Sequence, residues 1–475
     1  MQNDSLFCIP ALIQIAMSPS ASLRKNGYSR SNSYTKAGAA INPVDDDEEP
    51  EYATPEEYFS SEEEEEEEEE YGTPPSSSSS SFSSSAAAKK DHPVAVLRKV
   101  PIVTSPCKLD RQAGSGKDDN RSKTGIHVSL FDLFKGFRPG SDLTKFQLPP
   151  QFNLPKSQLQ AYGESVYCCD QDLLGMCAAA ASPLDRFLAV IRWHISTTRP
   201  APFGRAPYNP ILGETHHVSA GDLNVLCEQV SHHPPVSALY ATSESKKLQL
   251  LWWHQAVPRF CGNGVEATIL GQRHLNLLEH EEIYETSSPK LHICFFPISG
   301  NEWVGNTTVR CIKSGLEASV SFKGKGFFAL HGSSNKVSGK IWDISTKRIL
   351  YELSGSWDQV VTLKNKASGE ISTLYDAQAT IVDIHSPIIE NLEGTSSMES
   401  VNVWSALTEA LVNGESAQKM RETKRRLEEA QRELQQKRLA SGIVWSPKYF
   451  RSTKEGTWVW HDESMDVPHA PLVVR

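Results

Sequence analysis

Two histidines stand side by side against two prolines in Glu228 to Pro235, which reads EQVSHHPP. An imidazole donates one hydrogen bond when neutral and two when charged, so His232 and His233 together suit an anion. The prolines remove backbone donors and forbid helix. A strand-like run, Asn224 to Val230, precedes the pair and a second, Val236 to Tyr240, follows it. The imidazoles therefore stand where one strand is interrupted and another begins, a place for side chains to face a pocket mouth. Two hydrogen-bonded structural histidines fit the same spacing. A second charged set, Lys424, Glu428 and Arg432, recurs at i, i+4 and i+8 of a helical pattern. By itself that row is a solvated helix face. A guanidinium fork and a movable ammonium are also a sensible pair for two phosphate groups.

Metal chemistry is not expected. Adjacent histidines in extended chain point to opposite sides, and neither His232-His233 nor His216-His217 has a helical H-x-x-x-H or a C-x-x-C partner. Nine cysteines are dispersed, with Cys168 and Cys169 neighbours, and read as reduced thiols of a cytoplasmic protein. No nucleophile elbow, Walker loop or dinucleotide fingerprint is present, so neither enzyme nor cofactor is expected. Cys227, inside an apolar strand-like run near the histidines, reads as inert.

The elements that must carry these residues follow from texture. Residues 1–125 are an acidic, Ser-rich, low-complexity tail expected to be disordered. The ordered domain is expected over 126–475. Leu130, Phe131, Phe134 and Phe137 fit one amphipathic helix ended by Pro139-Gly140, either a core helix or a mobile lid. A helical region then occupies 151–200, where Ser182-Pro183 opens a helix that ends near Ser196. From 207 to 385 short β-prone runs recur between Gly, Pro and Ser without long helices. Gln249–Trp253, Leu291–Phe296, Ala318–Phe322 and Lys340–Asp343 are examples. The expected fold class is mainly β with flanking helices, built on a large antiparallel sheet or barrel. Residues 386–475 turn helical, above all Ser416 to Leu439, where Met420, Leu427 and Leu434 lie seven apart on one stripe. The aromatic stretch Trp445 to Phe450 is suited to dock on the barrel.

Charge is as uneven as texture. The chain of 475 residues carries a formal −10, yet Asp45 to Glu70 alone holds seventeen acids and no base, which leaves 48 basic against 41 acidic residues elsewhere. The remainder is mildly basic, which suits an anionic headgroup or membrane surface. Nucleic acid is not expected, for want of a strong basic patch and because the acidic run repels phosphate. No run approaches the ~20 apolar residues of a membrane span. Leu6 to Ala16 lacks the basic lead of a signal peptide.

EQVSHHPP, together with Asn209-Pro-Ile-Leu-Gly-Glu214 and Lys424-Arg-Arg-Leu-Glu-Glu-Ala-Gln-Arg432, resembles the signatures of the oxysterol-binding protein-related family. Pro149-Pro150, Trp193-His-Ile-Ser-Thr197 and Tyr351 to Trp357 resemble further family segments, so the likeness runs from about Ser129 to Phe450. The resemblance implies a short member without a pleckstrin-homology domain: a β-barrel around a lipid tunnel, a lid over 126–150 and C-terminal helices. It implies that His232, His233, Asn209, Lys424, Glu428 and Arg432 bind the headgroup of phosphatidylinositol 4-phosphate, and that a sterol or other lipid competes for the tunnel in exchange between membranes. A lipid-dependent sensor or scaffold with little transport is the other function such a protein could have. The usual Lys of the second signature is Ala206 here; Arg205, one residue earlier, is the candidate substitute for headgroup binding, although a one-residue shift in extended chain turns a side chain to the opposite face. Glu57-Tyr58-Phe59-Ser60 in its acidic setting resembles the motif that binds VAP proteins of the endoplasmic reticulum, with phosphorylated Ser60 supplying a missing charge. A solvated acidic spacer with two aromatics fits it as well. The expected location is cytoplasmic and peripheral on membranes, including endoplasmic-reticulum contact sites.

Overall fold

The computed structural model describes residues 134, 136–168, 171–295, 299–324, 335–381, 387–389, 395–462 and 465–474. They begin with a polar-capped helical layer. β1 (Asn153–Ser157) runs into α1 (Gln158–Tyr167), where Ser157 and Gln160 form a reciprocal cap. α2 (Leu173–Ala179) and α3 (Pro183–Ser196) follow. α3 starts as its sequence dictates: Ser182 Oγ accepts from Asp185 N at 3.1 Å and Pro183 occupies the first turn. Its apolar stripe, Phe187, Val190, Ile191 and Trp193, is wholly buried in the main core.

The main sheet starts after β2 (Ala206–Tyr208), which pairs in parallel with β1. β3 (Thr215–Ala220), β4 (Leu223–His232), β5 (Pro235–Ser243) and β6 (Leu248–Phe260) form a meander. β7 (Gly264–Leu270), β8 (Arg273–Leu277), β9 (Glu282–Thr286) and β10 (Lys290–Cys294) come next. β11 (Gly300–Cys311) leads a second meander through β12 (Leu316–Lys323), β13 (Lys336–Asp343), β14 (Ile349–Ser356), β15 (Val360–Asn365) and β16 (Ile371–Asp376). The strands alternate buried and exposed side chains, as β6 shows over its whole length, so one face of the curled sheet lies on the helices and the other outside. The fold class expected from the sequence is the one observed, a large mainly antiparallel β-barrel with flanking helices.

Two long strands fork this sheet. The first half of β6, Leu248–Trp252, pairs with β8, and the second, Gln255–Phe260, pairs with β7. β11 mirrors it, joining β10 at its start and β9 further on. The two short paths between β6 and β11 thus separate near Trp253 and His254. Gly271 sits at that fork with φ +121°, and a Cβ there would come within 1.9 Å of the Trp253 carbonyl oxygen, so only glycine fits.

After α4 (Ala377–Thr380) and β17 (Ile388–Ile389), α5 (Ser400–Val403), α6 (Ser405–Val412) and α7 (Ala417–Ala440) form the C-terminal helices. α7 agrees with its expected span to within a residue, with Ser416 as cap. Its expected stripe is only partly used: Met420 and Leu427 pack with Tyr208, Ile211 and Trp404, whereas Leu434 stays 42 % exposed. Seven residues advance a helix by about 10 Å, and the small cluster does not reach that far. The aromatic tail docks as expected: in the hairpin of β18 (Phe450–Ser452) and β19 (Trp458–Trp460), Trp460 stacks on Tyr240 of β5. The final strand β20 (Leu472–Val474) enters the main sheet in parallel beside β3, so the barrel draws strands from beyond residue 385.

The lid stretch departs from its expected helix. Leu130 and Phe131 lie outside the described residues. Phe134 and residues 136–140 form turns, closed by Phe137 N donating to Phe134 O at 3.1 Å. Gly136 and Pro139 both disfavour helix. Phe134, Phe137 and Phe146 instead bury against one another, with ring centroids 4.6–6.0 Å apart. Gly140 and Leu143 donate to Phe260 O and Pro258 O at the end of β6.

A buried acid ties the C-terminal helices to the helical layer. Glu214 is fully buried and accepts from Ser157 Oγ, from Ser400 Oγ at 2.7 Å, from Trp404 Nε1 at 2.9 Å and from Ile211 N at 3.0 Å. Burial outweighs these donors and pushes its carboxyl up to about 7. The folded state therefore holds a proton that the unfolded chain has released between about pH 4.5 and 7. Stability from this group is fully present below about 4.5 and lost as pH rises through 7. Glu214→Gln, which fixes the neutral form, is expected to flatten the denaturant-measured stability profile between pH 5 and 7.5 by up to about 3 kcal/mol. An unchanged slope would show that Glu214 does not titrate there.

Candidate functional site

β4 and β5 form a tight hairpin in which His232 pairs with Pro235, leaving His233 and Pro234 as the loop. A register shift between Gln229 and Ser231 turns the end of β4. The two imidazoles do not diverge as they would in regular extended chain. Their ring centroids lie 4.6 Å apart, edge to face, because His232 ends the strand and His233 belongs to the turn. His233 is exposed and His232 half-buried.

His232 Nδ1 donates to Pro210 O at 3.1 Å, since a carbonyl can only accept. This bond fixes the tautomer: in the neutral ring Nδ1 carries the hydrogen and Nε2 is an acceptor. Burial, followed by the neighbouring His233, pulls the ring's pKa below its ordinary 6.5, and the Pro210 carbonyl opposes the shift. The same bond places the hairpin tip against the turn that carries Asn209, which is exposed. The helix α7 packs Met420 and Leu427 on Tyr208 and Ile211, the residues on either side of Asn209-Pro210. Hairpin tip, Asn209 turn and α7 are thus held at one end of the barrel.

On α7, Glu428 lies 3.9 Å from both Lys424 Nζ and Arg432 Nη2. Lys424 donates to Leu148 O at 2.7 Å, in the proline-rich segment that follows the lid stretch. Burial lowers its ammonium and Glu428 partly restores it. Two further N–H donors of that ammonium remain available in principle to an anion. Arg432 projects into solvent, with 64 % of its side chain exposed. Ala206, where the signature has Lys, is buried with Leu148 and Phe152, while Arg205 is exposed. The one-residue shift does turn Arg205 to the other side.

Two residues of the signatures have a structural role that their spacing did not reveal. Glu228 accepts from Lys448 N at 2.7 Å and Tyr449 N at 2.9 Å, clamping the tail to the strand that ends in His232. Glu214 closes the second signature on α5 and Trp404, as described above. A signal existed, since each is an acid in an otherwise apolar run, but its partners lie some 190 to 220 residues away. His216 is likewise structural: buried, it meets Glu399 Oε1 at 2.8 Å through Nδ1 and the Tyr167 hydroxyl at 3.0 Å through Nε2. Cys227 is fully buried and its thiol is pushed well above the ordinary range, a poor nucleophile. Among the described residues no group of three His, Cys, Asp or Glu side chains could hold a metal ion. Glu57, Tyr58, Phe59 and Ser60 lie outside the described residues.

Residues 132–413 match the family model described as Oxysterol-binding protein. The chain is 43 % identical to oxysterol-binding protein-related protein 4C of Arabidopsis thaliana over 382 residues, 80 % of this chain and all of that protein. It is 33 % identical to oxysterol-binding protein-related protein 5 of Homo sapiens over 72 % of this chain and 39 % of that one. Two solved structures share the fold. The Osh1 ORD domain in complex with cholesterol matches at TM-score 0.58 and 22 % identity, over 71 % of this chain and 87 % of that one. The Osh3 ORD of Saccharomyces cerevisiae in complex with PI(4)P matches at 0.55 and 23 %, over 69 % and 88 %. With the signature hairpin, the asparagine turn and the basic helix held at one end of a barrel of this fold, the chain belongs to the oxysterol-binding protein family.

Proposed function

We propose that the protein transfers lipid between membranes, extracting phosphatidylinositol 4-phosphate by its headgroup and exchanging it for a sterol. The observation that carries the reading is the convergence of His232 and His233, the Asn209 turn and α7 at one end of the barrel. Relatives of this fold are described in complex with cholesterol and with PI(4)P, which supports both ligands. Hydrocarbon in water costs about 0.8 kcal/mol per methylene, so a lipid leaves a bilayer slowly unless an apolar interior receives its chains. The headgroup stays at the mouth. There Lys424, Arg432 and the histidines supply donors, Asn209 adds an amide, and Glu428 holds the two cations apart. The reading is peripheral on cytoplasmic membrane surfaces and needs no bond-making step. No helix among the described residues is long and apolar enough to cross a membrane.

Replacing both imidazoles removes hydrogen bonds to a charged group, each contributing about 1.5–3 kcal/mol. His232→Ala with His233→Ala is therefore expected to weaken extraction of phosphatidylinositol 4-phosphate from liposomes at least tenfold, without loss of fold by circular dichroism. Unchanged extraction overturns the headgroup assignment. In a donor–acceptor liposome assay the same lipid is expected to accelerate sterol flux in the opposite direction. Binding without flux would make the protein a sensor or scaffold.

His232 adds a pH dependence whose sign is fixed by its tautomer. Only the protonated ring can donate from Nε2 to phosphate while Nδ1 stays on Pro210 O. Because its pKa lies below 6.5, affinity is expected to rise as pH falls from 7.5 toward 6, until the phosphate's own ionisation near about 6 removes ligand charge. A flat binding profile for the wild type over that window would exclude a proton-dependent role for His232.

A further inference from the structure

The fork in the sheet encloses a guanidinium that pairs with no carboxylate among the described residues. Arg273 begins β8, is only 4 % exposed, and pairs across the ladder with Trp252. Its carbon Cζ stacks 4.1 Å over the Trp252 ring, and Nη1 donates to Thr197 Oγ1 at 2.7 Å. Its Nε is buried with no hydrogen-bond partner. Among the described residues no ion pair to Arg273 is found; the titratable side chains that feel its charge are Tyr162, His254 and His194. Burial pulls the guanidinium down to about 9, so it remains a cation at neutral pH. His254 is buried and neutral, with Nε2 3.1 Å from Ser288 Oγ and Nδ1 without a partner.

Buried charges are ordinarily matched by an opposite charge, because removing one from water is costly. Here the unmatched cation borders a cavity of about 20 Å³, room for one or two water-sized atoms at roughly 10–15 Å³ each. Hydroxyls of Thr197 and Ser288 reach it from two sides, and Ile269 and Trp303 give it apolar walls. The cavity suits one or two oxygens carrying a negative charge.

We propose that this cavity is an anion subsite inside the barrel, taking the carboxylate of a long-chain fatty acid or a similar monoanionic lipid. Arg273 forms the charged floor and Thr197, Ser288 and His254 line the oxygens. The site differs from the headgroup residues at the histidine hairpin and makes the protein a carrier of a third class of lipid. It rests on the lipid-carrying reading of the fold, but not on the headgroup assignment.

Isothermal titration of the full chain with oleate and with methyl oleate, both kept below micelle formation, tests it. The acid is expected to bind at least tenfold tighter than its ester, and Arg273→Gln should bring the two together, with Arg273→Lys retaining part of the difference. Should Arg273→Gln fail to fold, the acid–ester ratio of the wild type decides by itself. Equal affinity for oleate and methyl oleate overturns the proposal. Acetate binding as tightly as oleate would assign the cavity to free anions and overturn the lipid assignment. If neither oleyl ligand binds while phosphatidylinositol 4-phosphate is still extracted, this subsite fails and the carrier reading stands. If no lipid binds at all, the carrier reading fails with it.

Discussion

Buried carboxyl groups tie the C-terminal helices and tail to the rest of the barrel. Glu214 collects four donors, from the segment before α1, from its own turn and from two places on the C-terminal helices. Glu228 does the same for the tail through two backbone amides. A carboxylate so enclosed loses its hydration, and only convergent donors compensate for it. Their convergence fixes where α7 and the tail can lie. α7 is placed beside the Asn209 turn, and the histidine hairpin is tied to that same turn through His232 and Pro210 O.

The fork between β6 and β11 is a second constraint. One sheet cannot wrap the helical layer as a continuous ladder and also leave room inside, so two long strands each change partner midway. Where the partners change, the backbone ladder gives way to side chains. Gly271 lets the backbones pass at Trp253, and Arg273 and His254 occupy the gap. Polar side chains in an otherwise apolar interior are thus concentrated where strand pairing is interrupted.

At the barrel mouth the electrostatics are finely divided. Burial lowers the proton affinity of both His232 and Lys424, while Arg432 stands in solvent. Lys424 also bonds to the backbone at Leu148, next to the segment that follows the lid stretch.

The sequence by itself determined what depends on near neighbours. Ser182-Pro183 started α3, Ser416 started α7, and short β-prone runs between Gly, Pro and Ser marked several strands of the sheet, because caps and turns are local. The histidine hairpin, the asparagine turn and the basic helix were legible as motifs, and with them the family. Tertiary structure alone decided the rest. Gly136 and Pro139 with an aromatic trio replaced the expected helix by turns over the described part of the lid stretch, and Leu434 fell beyond the cluster that buries Met420 and Leu427. The partners of Glu214 and Glu228 are some 190 to 220 residues distant. Arg273 sits in a fork formed by the six consecutive strands β6 to β11. Spacing along a chain does not encode such pairings, since they are selected by the burial of whole faces and of the polar groups those faces carry.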